Sequence, residues 1–229
     1  MKNFENYQKL SSENSGTRAE GYVSYLEKPA QRLLSLLREN LDRKEYDSVL
    51  GDDAGGRIHA LLLGSAIKEI YGDEKKLNVI FVKGGRLLKS SPEHVSETET
   101  YLERMKDKIG KRTLVVTEEI LGGHSVGKIA SMLRGLGIEA DIATFQTAGE
   151  PEDYEGNPMI TFEGFKIFNG EGHGSILPDE YSGVWSDEAG SGKGYANARQ
   201  FEKEQGEIKA IREAIKPLSH KLASEFLTK

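Results

Sequence analysis

Apolar residues along this chain fall into two repeating textures. Between Tyr22 and Leu41 they recur at helical spacing, at Leu26, Leu33, Leu34, Leu37 and Leu41. That spacing lines them up on one face of a helix. Short, near-continuous apolar runs then alternate with helical patterns. "YDSVL" reads as a buried strand ending in the acidic, glycine-rich loop "GDDAGGR". "IHALLLGSAIKEIYG" follows as a helix, with Ile58, Leu61, Leu62, Ala66, Ile67 and Ile70 along one side. "LNVIFV" is a strand, "YLERMKDKIG" a short helix, "RTLVV" a strand, "SVGKIASMLRGLG" a helix and "IEADIATF" a further strand. Gly72 and Gly110 stand where these helices should be capped. Strands without polar alternation, separated by helices, imply a parallel sheet covered on both faces: a doubly wound α/β fold.

The texture changes after Phe145. Two short aromatic runs flank Glu163-Gly164 between long polar stretches, a pattern expected of a hairpin in a small lobe. From Ala196 the chain returns to charged helix with an apolar stripe at Phe201, Ile208, Ile211, Ile215 and Leu218, which Pro217 should kink or break. The expected organisation is a polar arm over 1–20, an α/β core over 21–149, a hairpin lobe over 150–195 and a C-terminal helical segment over 196–229.

Composition narrows the function classes. The 229 residues carry a net charge of -6, so bulk electrostatics do not indicate a nucleic-acid partner. There is no cysteine, which removes disulfides, thiolate nucleophiles and thiolate metal sites. The five histidines are scattered without i,i+4 pairing, against a zinc centre. No apolar run approaches the roughly 18 residues of a membrane span, and the polar N-terminus has no secretory h-region. The expectation is a cytoplasmic protein with no membrane partner; a homo-oligomeric state stays open.

The stretch "TLVVTEEILGGHS", Thr113 to Ser125, carries the main candidate chemistry. In an open parallel sheet, ligands sit outside the carboxyl ends of the strands. Thr117 and Glu118 fall at such an end, where a carboxylate accepts hydrogen bonds from sugar hydroxyls. The turn Leu121–Ser125 opens a helix, and free N–H groups, close glycine approach and a Ser125 hydroxyl make an anion site. Together these describe a cradle for a ribose 5-phosphate. The plainer alternative is a strand–turn–helix connection capped by serine. Upstream, Gly55, Gly56 and Arg57 suit a pyrophosphate, and Asp52 and Asp53 suit Mg2+, which takes few carboxylates alongside phosphate oxygens. Solvated acids at a helix cap are the alternative. Lys83, Arg86 and Lys89 surround two glycines and suit either a lid over a diphosphate or a solvated surface loop.

The same stretch resembles the signature of the type I phosphoribosyltransferases: four apolar residues, two acidic ones, four variable positions, then Gly, a small residue and Thr. Laid against it without a gap, Thr113–Val116 are the apolar four and Thr117 and Glu118 fall on the acidic pair. Leu121, Gly122, Gly123, His124 and Ser125 fall on the loop that holds the 5-phosphate. "YDSVLGDDAGGRIHALLLGSAI" is similar to the family's first strand, pyrophosphate loop and following helix, and Lys83–Lys111 sits at the family's catalytic flap. Residues 150–195 correspond to the hood that selects the acceptor base. The resemblance implies a phosphoribosyltransferase-like protein of Rossmann-like architecture. It would bind phosphoribosyl diphosphate (PRPP), a ribose phosphate or a nucleotide with Mg2+, and transfer a pentosyl group as a glycosyltransferase. Three departures stand out: Thr117 replaces a carboxylate, Leu121 a polar residue and His124 a small one. The runner-up reading is a catalytically impaired PRPP or nucleotide sensor. A scaffold that assembles through its C-terminal helix is the third.

Overall fold

A computed structural model of the chain describes residues 15–82, 92–120, 124–147, 165–171 and 205–228. Five strands form one sheet: β1 (Ser48–Asp52), β2 (Asn78–Val82), β3 (Arg112–Ile120), β4 (Glu139–Thr147) and β5 (Ile167–Asn169). Their order is β2-β1-β3-β4-β5, and all pairings are parallel. Every residue of β1 is buried, as a central strand covered on both faces requires.

The helices divide between the two faces. On one face lie α1 (Ser15–Leu36), the short α2 (Arg38–Asp42), α3 (Asp53–Tyr71) and α6 (Gln205–Leu227). Their apolar stripes meet Val49, Leu114, Val116, Ala143 and Phe145 of the sheet in one core. On the other face lie α4 (Pro92–Ile109) and α5 (His124–Gly135). Leu102, Ile109, Val126, Ile129 and Leu133 from these helices pack on Leu50, Ile80, Val115 and Ile142. The alternation of side chains along each strand, Leu114 and Val116 one way and Val115 the other, feeds both cores. The doubly wound parallel α/β fold expected from the apolar runs is the observed one.

Several local features differ from the sequence expectation. α1 begins at Ser15, inside the segment read as a polar arm, and its Ala19 is already buried. The acidic stretch after β1 is not a loop: Asp52 is still extended (φ -84, ψ 125) and α3 starts at Asp53. α4 starts at Pro92, because proline fits the first helical turn. α6 runs unbroken through Pro217, its stripe Ile211, Ile215, Leu218 and Leu222 holding it on the core. Tertiary packing outweighs the hydrogen bond that Pro217 removes. Within the segment read as a hairpin lobe, β5 joins the main sheet parallel to β4. Two helix stops agree with expectation: Gly72 and Gly110 both have positive φ, 58 and 81.

The amino ends of the strands are closed by an ion-pair network. Asp141 accepts from the Tyr46 hydroxyl at 2.8 Å and from Arg112 at 2.7 Å, and Arg112 also donates to Glu45 at 2.6 Å. Asp47 pairs with Lys75 at 2.8 Å and accepts from the Lys111 N–H at 2.7 Å. Among the described residues, no helix is long and apolar enough to cross a membrane.

Candidate functional site

The strand order fixes where a ligand crevice forms. From β1 the chain crosses outward to β2, then returns past β1 to lay β3 on its other side. The two connections leave the sheet in opposite directions, so β1 and β3 border a topological switch point. In open parallel sheets the crevice outside the carboxyl ends at that point is the ligand site. α3, of 19 residues, and α5, of 12, both begin at this edge, so their positive dipole ends face it.

From β1 comes Asp52, 8 % exposed at the strand end. Gly56 and Arg57 follow in the first turn of α3. Gly56 has a helical backbone; its value here is closeness. A β-carbon on it would stand 2.6 Å from the Val116 carbonyl oxygen and 3.4 Å from the Thr117 Cα. The start of α3 is thus packed directly on β3 at the first position of the acidic pair. Arg57 lies with its guanidinium carbon 4.5 Å from the centroid of Phe81 in β2. Burial, and then the positive charge of Arg212 on α6, push the guanidinium below its ordinary range. Its Nε is buried without a hydrogen-bond partner among the described residues. An anion placed against Arg57 would relieve both strains.

The Phe81 ring owes its position to Gly51. These residues are register partners in β1 and β2, and a β-carbon on Gly51 would meet Phe81 at 2.9 Å and Ala60 at 2.8 Å. Sequence reasoning passed over this pair. The available signal was a glycine inside an otherwise apolar strand, which marks close approach of a neighbour.

From β3 come Thr117 and Glu118. The strand runs on to Ile120, so both residues lie within it, and consecutive residues of a strand face opposite ways. Glu118 is partly buried. By alternation it shares the face of Val116, toward α3. Thr117 is 5 % exposed, and its hydroxyl leans to the Glu119 carbonyl of its own strand at 3.4 Å. The worn acidic position therefore holds a buried hydroxyl occupied with backbone. Next along, Glu119 is partly buried, and burial raises its carboxyl above the ordinary carboxylate range. The nearby Gln146 amide offsets part of that rise, although it makes no hydrogen bond of normal geometry to the carboxylate. Beneath the site His59 of α3 is buried, its ring centroid 4.4 Å from that of Phe145 at 66°.

The structure places Asp52 at the end of β1, Gly56 and Arg57 in the first turn of α3, and Thr117 and Glu118 late in β3, with Gly56 packed between Asp52 and the Val116–Thr117 backbone. Gly55 is in the first turn of α3, and His124 and Ser125 begin α5, at the same edge. The side chains of Asp53, His124 and Ser125 lie outside the described residues, as do Lys83, Arg86, Lys89, Leu121, Gly122 and Gly123. Among the described residues, no group of three metal-type ligands is found.

The fold is a doubly wound α/β architecture whose topological switch point lies between β1 and β3. No protein-family model matches the chain, and no curated protein does. Among solved structures the chain is similar to a purine phosphoribosyltransferase from Pyrococcus horikoshii Ot3. The two are 19 % identical, over 62 % of this chain and 82 % of that one, with a TM-score of 0.34.

Proposed function

We propose that the chain binds a 5-phosphorylated ribose, as PRPP or a nucleotide, in the crevice between β1 and β3, and transfers its phosphoribosyl group to an acceptor. The supporting observation is the contact of Gly56 with Val116 and Thr117. It joins the two segments that the motif assigns to opposite ends of one ligand. The α3 start faces the diphosphate and the β3 end faces the sugar.

In this reading Glu118 accepts hydrogen bonds from the ribose hydroxyls. The start of α5, at His124 and Ser125, takes the 5-phosphate at its positive dipole end, with Gly122 and Gly123 as the preceding residues of the motif. Arg57, held by Phe81, faces the diphosphate, and Lys83 and Arg86 supply further positive charge for it. The bond from the ribosyl C1 to pyrophosphate breaks and one to the acceptor forms, through a carbon with oxocarbenium character. The side chains act by position and charge. Asp52 is a hard oxygen donor at this end of β1, and with Asp53 it fits Mg2+, which when bound neutralises diphosphate charge.

Thr117 favours a second reading, a sensor that binds the same ligand without turnover. A buried hydroxyl leaning on backbone adds no negative charge near the forming oxocarbenium ion. One experiment separates the readings: calorimetric titration with PRPP, with and without Mg2+, followed by a pyrophosphate-release assay. Binding with release supports the transferase, and binding without release the sensor. No binding in either condition rules out both. Magnesium should strengthen PRPP binding more than ribose 5-phosphate binding; an equal effect would remove Asp52 and Asp53 from the site.

A further inference from the structure

α6 lies along α3, and two of its side chains fix its direction. His220 stands 2.9 Å from Glu69, near the carboxyl end of α3. Arg212 stands near enough to Arg57, in the first turn of α3, for the two charges to act on each other. These contacts follow the same order along both helices, so α3 and α6 run in the same direction. Arg212 therefore sits beside the carboxyl edge of the sheet, where α3 begins. Ile211 and Ile215 hold this part of α6 on the core, while Arg212 itself is exposed.

The two ends of the helix pair differ in charge. Toward the carboxyl ends a carboxylate answers each basic group: Glu69 for His220, and Glu27 of α1 for Lys221 at 2.6 Å. Toward the amino ends one guanidinium meets another. Like charges so placed repel, and more strongly where burial removes the water between them. Arg57 is half-buried, and its Nε has no hydrogen-bond partner among the described residues. Phe81 covers one face of its guanidinium at 4.5 Å. The donors lie in the guanidinium plane, so this stacking leaves them to a ligand. Packing thus holds two cations together, and among the described residues it offers Arg57 a second guanidinium where the lower pairs have a carboxylate.

We propose that Arg212 is a second anion-binding residue, which with Arg57 makes a two-guanidinium seat for a diphosphate and brings α6 into the binding site. Each guanidinium presents a planar fork of donors that matches two oxygens of one phosphoryl group. Two forks on two helices suit two linked phosphoryl groups better than a single phosphate. A bound diphosphate replaces the repulsion between the cations with two attractions, and so ties α6 to the start of α3. The role of Arg57 rests on the ribose-phosphate reading. Arg212 lies outside the motif behind that reading, so inorganic pyrophosphate tests the seat separately.

The test is calorimetric titration of the full chain, Arg212→Gln and Arg212→Glu with inorganic pyrophosphate, inorganic phosphate and ribose 5-phosphate, alongside thermal melts in buffer free of multivalent anions. The parent should bind pyrophosphate more tightly than phosphate. Arg212→Gln should lose about tenfold in pyrophosphate affinity, the scale of one charge-assisted contact, and bind ribose 5-phosphate as the parent does. Arg212→Glu gives Arg57 an internal carboxylate, so it should lose more affinity and yet melt higher than the parent. A parent that does not bind pyrophosphate, or an Arg212→Gln variant that binds it equally well, would overturn the seat. So would an Arg212→Glu variant that melts below the parent, or equal losses for all three ligands, either of which would make Arg212 a support of the fold alone. Pyrophosphate binding that depends on Arg212, in a chain indifferent to ribose 5-phosphate, would keep the seat and defeat the ribose-phosphate reading.

Discussion

A β-carbon on Gly56 would stand 2.6 Å from the carbonyl oxygen of Val116. No real side chain tolerates that separation, and the neighbour is backbone of a central strand. Gly56→Ala must therefore lift the first turn of α3 off β3. The expected cost is about 1–3 kcal/mol, the range for overpacking. Affinity for a ribose phosphate should fall with it, because the two halves of the crevice move apart. Gly135, near the end of α5, is the control: nothing lies within 4 Å of its added β-carbon. Gly135→Ala should be neutral or stabilise by about 0.5–1 kcal/mol. Thermal melts of both variants check this; equal melting temperatures would show that the α3 start yields without strain.

Phe81 should matter more for anion binding than its place in β2 suggests. Its ring supports the Arg57 guanidinium, an interaction of about 0.5–2 kcal/mol. Phe81→Leu keeps an apolar side chain and removes the ring face. Arg57→Lys keeps the charge and loses the planar fork. Both should weaken inorganic pyrophosphate binding several-fold while ribose 5-phosphate binding holds. Unchanged pyrophosphate affinity in both variants would take Arg57 out of the site.

Glu119 gives the site a pH signature. Burial raises its carboxyl in the folded protein above the unfolded value of about 4.3. Between those two values the folded state holds more protons than the unfolded one. The contribution to stability is fully present below the unfolded pKa and is lost as pH rises through the folded pKa. Glu119→Gln removes the titration, so the variant should gain on the parent between pH 4 and pH 7. Denaturant melts at the two pH values measure the difference; an equal gap at both would mean that Glu119 ionises in the fold as it does in water.

Much of this architecture was legible because it rests on apolar patterning. Val49, Leu114, Val115 and Ile142 are buried in strands that the sequence marks as continuous apolar runs. Gly72 and Gly110 end helices where a positive φ is required. Long-range features were not legible. β5 consists of three residues whose strand character comes from pairing with β4, which no local signal reports. Asp53 to Arg57 read as a loop because acids and glycines disfavour helix, yet packing on β3 makes them the first turn of α3. Pro217 misled in the same way. At the site, the sequence pointed to Thr117 and Glu118 but not to their opposite facing, nor to Gly51 and Phe81 behind Arg57. These depend on register between strands distant in the chain.

The sharpest measurement is a calorimetric titration of ribose 5-phosphate into the parent chain, Glu118→Gln and Gly123→Val. Glu118→Gln keeps the side-chain shape and removes the charge that would hold the sugar hydroxyls. Gly123→Val adds a branched side chain where the proposed cradle needs the backbone to approach the phosphate. A ribose-phosphate crevice at the β1–β3 switch point predicts binding by the parent and a loss of about tenfold or more in each variant, with the melting temperature of Glu118→Gln unchanged. A parent that does not bind, or variants that bind as well as the parent, would contradict it.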